Sequence, residues 1–151
     1  MAKGVIEKLA LEEYDRCGEI WDMKKFPYTE QFRREIAAGN RVVYIYKENG
    51  AFLGEIAYVL HMDDPDYTIE NRRIYISRLL VKSTHRRRGI GSALLDFVLA
   101  EVKKQGFTEA SVGVDKANAA ALHLYRKKGF TTVLFDGEDE AGAYVKLLKK
   151  L

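Results

Sequence analysis

The sequence predicts a mixed α/β (α+β) fold: a seven-stranded, mostly antiparallel sheet with one central parallel pair and about four helices on both faces, in a single domain over residues 1–151. Three observations predict it. Hydrophobic residues make up 47% and charged residues 31% of the chain, a balance that drives collapse of one domain, buries roughly two-thirds of its unfolded surface and argues against disorder. Two β-rich runs meet at Asn49-Gly50, whose tolerance of positive φ suits a tight antiparallel hairpin. A strand-helix-strand run between Arg73 and Val114 demands a parallel pair with a right-handed crossover.

Each element follows from local pattern. Residues 4–10 alternate as a first strand, and residues 11–23 place Tyr14, Cys17, Ile20 and Trp21 at helical spacing, which predicts a helix with these side chains inward. Pro27 interrupts. Thr29 is the expected cap of a second helix that carries Phe32 and Ile36 on one face and stops at Gly39-Asn40. Residues 41–60 hold two strands joined by Glu48-Asn49-Gly50-Ala51. Residues 61–71 turn polar and acidic around Pro65 and read as a loop. Arg73–Val81, rich in branched and aromatic residues, is a fourth strand. Over residues 89–105 the positions Ile90, Leu94, Phe97, Val98 and Val102 form the stripe of a long amphipathic helix that Gly106 stops. Residues 108–114 are a fifth strand. Residues 117–128 form a helix closed by Gly129, with Phe130 positioned for the hydrophobic contact that follows such a cap. Residues 131–135 and 143–148 are two last strands flanking an acidic turn over 136–142. The chain has no repeats, low-complexity tracts or linkers.

Composition excludes several function classes. A formal charge of +3 is too small to imply nucleic-acid binding by itself. Charged residues interrupt the apolar stretches well before the ~20 residues a membrane span needs. The opening MAKGVIEKLALEE lacks a signal peptide's apolar core and cleavage site, so a cytoplasmic protein with no membrane partner is expected. Cys17 is the single cysteine, which leaves no intrachain disulfide and no cysteine-rich metal site; its place on an apolar helix face suits a small core residue. His61, His85 and His123 lack the partners and spacing of metal ligands, and no metal is expected.

The segment THRRRGIGS, residues 84–92, sets three arginines against Gly-Ile-Gly and a serine, between a strand end and a helix start. The first N–H groups of a helix have no partner inside it and carry the positive end of its dipole. Gly89 and Gly91 keep side chains away from those groups, Ser92 adds a hydroxyl, and Arg86, Arg87 and Arg88 add charge and forked hydrogen bonds, as a pyrophosphate cradle requires. A dinucleotide fingerprint would need a third glycine and a downstream acid, and a Walker loop would need Lys-Ser/Thr where Ser92-Ala93 stand. A nucleic-acid patch built on Lys82 and the arginines would have no use for the glycines and lacks interleaved aromatic residues, so no nucleic-acid partner is expected.

LLVKSTHRRRGIGSALL resembles the coenzyme A signature of the GNAT superfamily of N-acetyltransferases, Arg/Gln-x-x-Gly-x-Gly/Ala, through Arg86, Gly89 and Gly91. VDKANAAALHLYRKKGF is similar to the second signature of that family through Asn118, Ala121, Leu124, Tyr125, Gly129 and Phe130. Ser83 stands where proline is common, His85 where an aromatic residue is, and Arg87 where glycine is. The resemblance implies that the parallel strands splay to admit acetyl-CoA. It implies that pantetheine lies along Leu79, Leu80 and Val81, that the pyrophosphate rests on Arg86, Arg87, Arg88, Gly89, Ile90, Gly91 and Ser92, and that Asn118 hydrogen-bonds the cofactor arm. It also implies transfer of the acetyl group to a primary amine by direct attack in a ternary complex, with Tyr125 as the general acid for the departing thiolate. By spacing alone, beside Leu122 and Leu124, Tyr125 reads as a core aromatic residue.

The acceptor side is less defined. A glutamate frequent in the family on the strand before the signature is matched by Tyr75, which becomes a candidate substrate contact. Glu55 is the candidate base, acting directly or through water; as an isolated carboxylate in GEIAY it also fits a solvent-facing strand position, and a water chain without a single base is a further route. Asp63, Asp64, Asp66 and Glu70 in one connection, and Glu138, Asp139 and Glu140 in the last turn, lie in regions that border the acceptor in the family. Asp63, Asp64 and Glu138 are therefore candidate contacts that attract a cationic amine, although solvated loops show the same pattern. The turn is no calcium loop, since Ala141 occupies the required glycine position. The expected function is an acetyl-CoA-dependent N-acetyltransferase for a small cationic molecule, which includes polyamines, amino sugars and aminoglycosides. A protein N-terminus or lysine is the alternative acceptor, and a coenzyme A-binding sensor without catalysis is the alternative of another class. Exposed strand edges allow a homodimer.

Overall fold

The computed structural model describes residues 4–151. The first three residues, which belong to the predicted 1–151 domain and to the amino-terminal run read for a signal segment, lie outside the described residues. The strands are β1 (Val5–Lys8), β2 (Arg41–Glu48), β3 (Ala51–Val59), β4 (Arg73–Val81), β5 (Glu109–Asp115), β6 (Thr132–Asp139) and β7 (Gly142–Lys150). The α-helices are α1 (Thr29–Ala37), α2 (Ile90–Lys104) and α3 (Ala119–Lys127), and 3₁₀ turns cover Leu11–Glu19, Met23–Lys25 and Ser83–His85. The sheet order is β1-β2-β3-β4-β5-β7-β6. β4 and β5 are parallel over Arg73–Ile76 and Glu109–Val112, while β1–β2, β5–β7 and β6–β7 are antiparallel. The predicted seven-stranded, mostly antiparallel sheet with one parallel pair is the observed one. Among the described residues no helix is long and apolar enough to cross a membrane.

The described residues form two compact units, 4–58 with 78–98 and 59–77 with 99–151. In the first, a core of Leu9, Tyr14, Cys17, Val43, Ile45, Phe52 and Ala57 is flanked by partly buried Ile20, Trp21, Phe32 and Ile36. The predicted first helix is a 3₁₀ segment rather than an α-helix, with the N–H of Glu13 donating to Ala10 and that of Ile20 to Cys17, each at 2.9 Å. Three residues per turn bring Tyr14, Cys17 and Ile20 into one line, which an α-helix would spread. Thr29 is not a cap but the first helical residue: Tyr28 holds the cap position, and the Thr29 hydroxyl donates to the Met23 carbonyl at 2.5 Å. The β2–β3 hairpin turns at Asn49 and Gly50, with φ of 52° and 81°, as its sequence requires.

Adjacent residues of β3 show why helices lie on both faces of this unit. A Cβ on Gly54 would stand 3.0 Å from Ile90 and 3.1 Å from Leu94 of α2, whereas Glu55, the next residue, meets Trp21 of the amino-terminal segment. Successive strand side chains point to opposite faces.

In the second unit, α3 ends at Gly129, φ 100°, and Phe130 is fully buried. The predicted acidic turn over 136–142 is mostly strand: β6 runs through Asp139, and Gly137 and Glu138 pair with Tyr144 and Ala143. β6 is the last strand in the order, and an edge strand tolerates carboxylates that face solvent.

Candidate active site

In the first unit, the end of β4 passes into α2 through a turn built from backbone. The Lys82 N–H donates to the Leu53 carbonyl at 2.8 Å, and that of His85 to Lys82 at 2.8 Å, which fixes the path out of the strand. Arg87 and Gly89 are left-handed, with φ of 63° and 80°. The first helical bond runs from the Ala93 N–H to the Gly89 carbonyl at 3.0 Å, so the N–H groups of Ile90, Gly91 and Ser92 precede it and point out of the helix. The Ile90 side chain is buried and anchors the turn, while Arg86, Arg87, Arg88 and Gly89 are exposed and Gly91 and Ser92 are half-buried. A Cβ on Gly89 would meet nothing within 4 Å, which leaves open space beside the helix start. Arg88 has a partner already: its guanidinium donates to Glu48 at 2.7 Å. Arg86 reaches the Val81 carbonyl only at 3.4 Å. Leu79, Leu80 and Val81 are half-buried.

Glu55 does not face solvent; it is 4% exposed. Its Oε1 accepts the Trp21 indole N–H at 2.6 Å. Burial raises its pKa, against the pull of the Arg78 guanidinium, the Trp21 and Cys17 hydrogen bonds and Arg41. Burial and Glu55 together push the Cys17 thiol well up, so it is a neutral core residue. Arg78 is packed among rings, 4.4 Å from the Trp21 centroid, 5.2 Å from Tyr28 and 5.5 Å from Phe32, and donates to the Tyr28 hydroxyl at 3.0 Å.

In the second unit, Tyr125 is 6% exposed and meets the Phe130 ring edge-on at 5.4 Å. Burial, and then Tyr75, raise its pKa far above the ordinary phenol value, so the hydroxyl is a retained proton. Core aromatic and proton carrier are therefore compatible descriptions of one residue. Asn118 caps α3 with its side-chain oxygen, which accepts the Ala121 N–H at 3.1 Å; its exposed amide NH₂ is the group left to bind elsewhere.

The acidic connection is partly spent inside the fold. Lys146 donates to Asp64 at 2.6 Å and Asp66 at 3.2 Å. The Lys146 hydrogen bond holds the Asp64 carboxyl below the usual carboxylate range. Asp63 projects fully into solvent, with His61 at 3.8 Å, and Glu138 is exposed on β6. The rings of Tyr75 and Tyr67 meet at a tilt of 35°, centroids 4.3 Å apart. Among the described residues no group of three or more histidines, cysteines or carboxylates is placed to hold a metal ion.

Three features escaped the sequence pattern. Gly54 lets α2 approach β3, and an isolated glycine in a strand was a legible sign of such approach. Arg78 reads as an ordinary strand residue, yet its charge lowers the Glu55 pKa more than the Trp21 and Cys17 hydrogen bonds or Arg41 do. Lys146 and Asp64 are 82 residues apart, and nothing local announces their contact.

The model of the acetyltransferase (GNAT) family matches residues 6–130. N-acetyltransferase 8 of Homo sapiens is 37% identical over 123 residues, covering 74% of this chain and 53% of its own, so the chain spans about half the length of that relative. The structure of the NatC complex bound to Gag peptide and CoA superposes with a TM-score of 0.77 at 20% identity over 99% of each chain. Aminoglycoside 6'-acetyltransferase type Ii gives 0.74 at 15% identity over 97% of this chain and 96% of its own. These two structures share the fold while their names carry different partners, so the fold does not choose the acceptor. The family match runs from β1 to Phe130 and includes both the β4–α2 turn and Tyr125: the chain belongs to the GNAT family of acetyltransferases.

Proposed function

We propose that the chain transfers the acetyl group of acetyl-CoA to the primary amine of a small, positively charged molecule by direct attack in a ternary complex. The exposed carboxylates Asp63 and Glu138 support the cationic acceptor, and the observation that carries the acetyl-CoA part of this is the β4–α2 turn. Its left-handed Arg87 and Gly89 free the N–H groups of Ile90, Gly91 and Ser92 beside open space, and Arg86 and Arg87 stand exposed next to them. Such a donor set suits a pyrophosphate. Arg88, tied to Glu48, contributes charge and holds the turn to β2. The backbone of Leu79–Val81 and the Asn118 amide are assigned to the pantetheine arm.

When bound, acetyl-CoA supplies an activated acyl group. Tyr125, kept neutral by burial, donates its proton to the leaving sulfur. Glu55, whose affinity for a proton is raised by burial, accepts the amine proton directly or through water. Tyr75 lies against the acceptor, and Asp63 and Glu138 draw its ammonium from solution, while Asp64 acts chiefly through Lys146.

Thiol release from acetyl-CoA, measured against small amines and against peptides, tests this function. Release that depends on a small amine is expected. Calorimetric binding of coenzyme A without acceptor-dependent release would replace the enzyme by a sensor, and release with peptides alone would replace the small molecule by a protein.

A further inference from the structure

One face of the sheet in the second unit is arranged around an internal cation. Tyr75 pairs with Ser111, Gly113 with Lys146, and Lys146 with Phe135, so these positions share a face, and Tyr144 joins them two residues before Lys146. Tyr67 lies on that face. Its hydroxyl fills the space over Gly113, 2.5 Å from where a Cβ would be, and its carbonyl accepts the Ser111 hydroxyl at 2.6 Å. The Phe135 ring covers Gly137 in the same way, its Cζ 2.6 Å from a Cβ position, and packs on Tyr144 at 5.3 Å. The Lys146 ammonium sits between the two rings, 5.1 Å from the Tyr67 centroid and 4.9 Å from that of Phe135, and donates to Asp64 and Asp66. Two ring faces and two carboxylates are what an ammonium needs when it leaves water. Here the ammonium is the protein's own.

We propose that Lys146 is a specificity-determining residue: it fills the cage of Tyr67, Phe135, Asp64 and Asp66 that would otherwise hold a second positive charge of the acceptor. The protein then takes amines bearing one positive charge beside an aromatic or apolar group and rejects polycations. The tilted contact of Tyr67 with Tyr75, whose hydroxyl helps to raise the Tyr125 pKa, relates the cage to the proposed acid; to that extent the inference rests on the acetyl-transfer reading. The half-buried rings of Tyr67, Tyr75 and Tyr144, with Phe135 37% exposed, supply the apolar surface. A polycation arriving there meets carboxylates already neutralised and a fixed like charge, the repulsive element that selectivity requires.

The test is calorimetric binding of phenethylamine and of spermidine to the coenzyme A-loaded protein, for the wild type, Lys146→Met and Lys146→Arg. The wild type is expected to bind phenethylamine at least about tenfold more tightly, about 1.4 kcal/mol. Lys146→Met is expected to shift the ratio toward spermidine by about tenfold or more, and Lys146→Arg, which keeps the charge, to preserve the wild-type preference. A wild type that prefers spermidine or binds neither amine, or a ratio unchanged in Lys146→Met, overturns the proposal. Should Lys146→Met fail to fold by circular dichroism, the wild-type ratio decides. Thiol release is followed in parallel: the expected binding ratio without release would strike the transferase reading and leave this one standing.

Discussion

Trp21 donates its indole N–H to the carboxylate of Glu55 at 2.6 Å, joining the bend just after the amino-terminal 3₁₀ segment to the middle of β3. Replacing Trp21 with Phe leaves a buried acceptor short of a donor, at a cost of about 1–3 kcal/mol, visible as a lower urea midpoint. A kinetic consequence accompanies it. A base works only when deprotonated, so the acidic limb of kcat/KM follows the Glu55 pKa, which burial raises and the Trp21 hydrogen bond lowers. Trp21→Phe therefore moves that limb to higher pH. A limb that stays in place removes Glu55 from the role of base.

Tyr125→Phe deletes one hydroxyl and keeps the ring against Phe130. Turnover is expected to fall by about 10²- to 10⁴-fold, while calorimetric affinity for coenzyme A changes little. Turnover that survives the substitution would return Tyr125 to a purely structural role.

Arg87 and Gly89 are both left-handed, but only one of them is glycine. Gly89→Val puts a β-branched side chain at φ 80°, a strain of about 1–3 kcal/mol. Since the added Cβ meets no neighbour, any damage comes through the backbone rather than crowding. Loss of measurable coenzyme A binding and a lower melting temperature are expected. Arg87→Gly relieves strain of the same kind, offset by the greater freedom of the unfolded glycine, so its melting temperature should equal or exceed that of the wild type.

Asp64 titrates below the usual carboxylate value of about 3.9 because Lys146 holds its charged form. Glu109 is pushed up by burial, but Arg73 and Arg72 outweigh this and its pKa is lowered too. A depressed folded pKa means stability that is present above the unfolded value and lost as pH falls through the folded one. Asp64→Asn should therefore lose less stability than the wild type between about pH 6 and about pH 3, measured by urea midpoints. Equal losses would mean that the pair contributes nothing to folding.

Local rules fixed most of the elements, because each depends on a few neighbouring residues. Asn49-Gly50 specifies its hairpin, Gly106 and Gly129 end their helices, and the arginines with Gly89 mark the strand-to-helix turn wherever the rest of the chain goes. Where local pattern left two outcomes open, packing chose. The amino-terminal segment winds as 3₁₀ because Tyr14, Cys17 and Ile20 must line up on one core, and β6 absorbs its acidic run because β7 pairs with it to the end. Glu55 looked like a surface residue in its own strand and is a buried carboxylate that accepts the Trp21 indole N–H and feels the charge of Arg78. Asp64 looked like a lure for a cationic ligand and is held by Lys146, 82 residues away. Burial and charge pairing are sums over distant neighbours, so tertiary structure alone decides which carboxylate stays in water and which loses it.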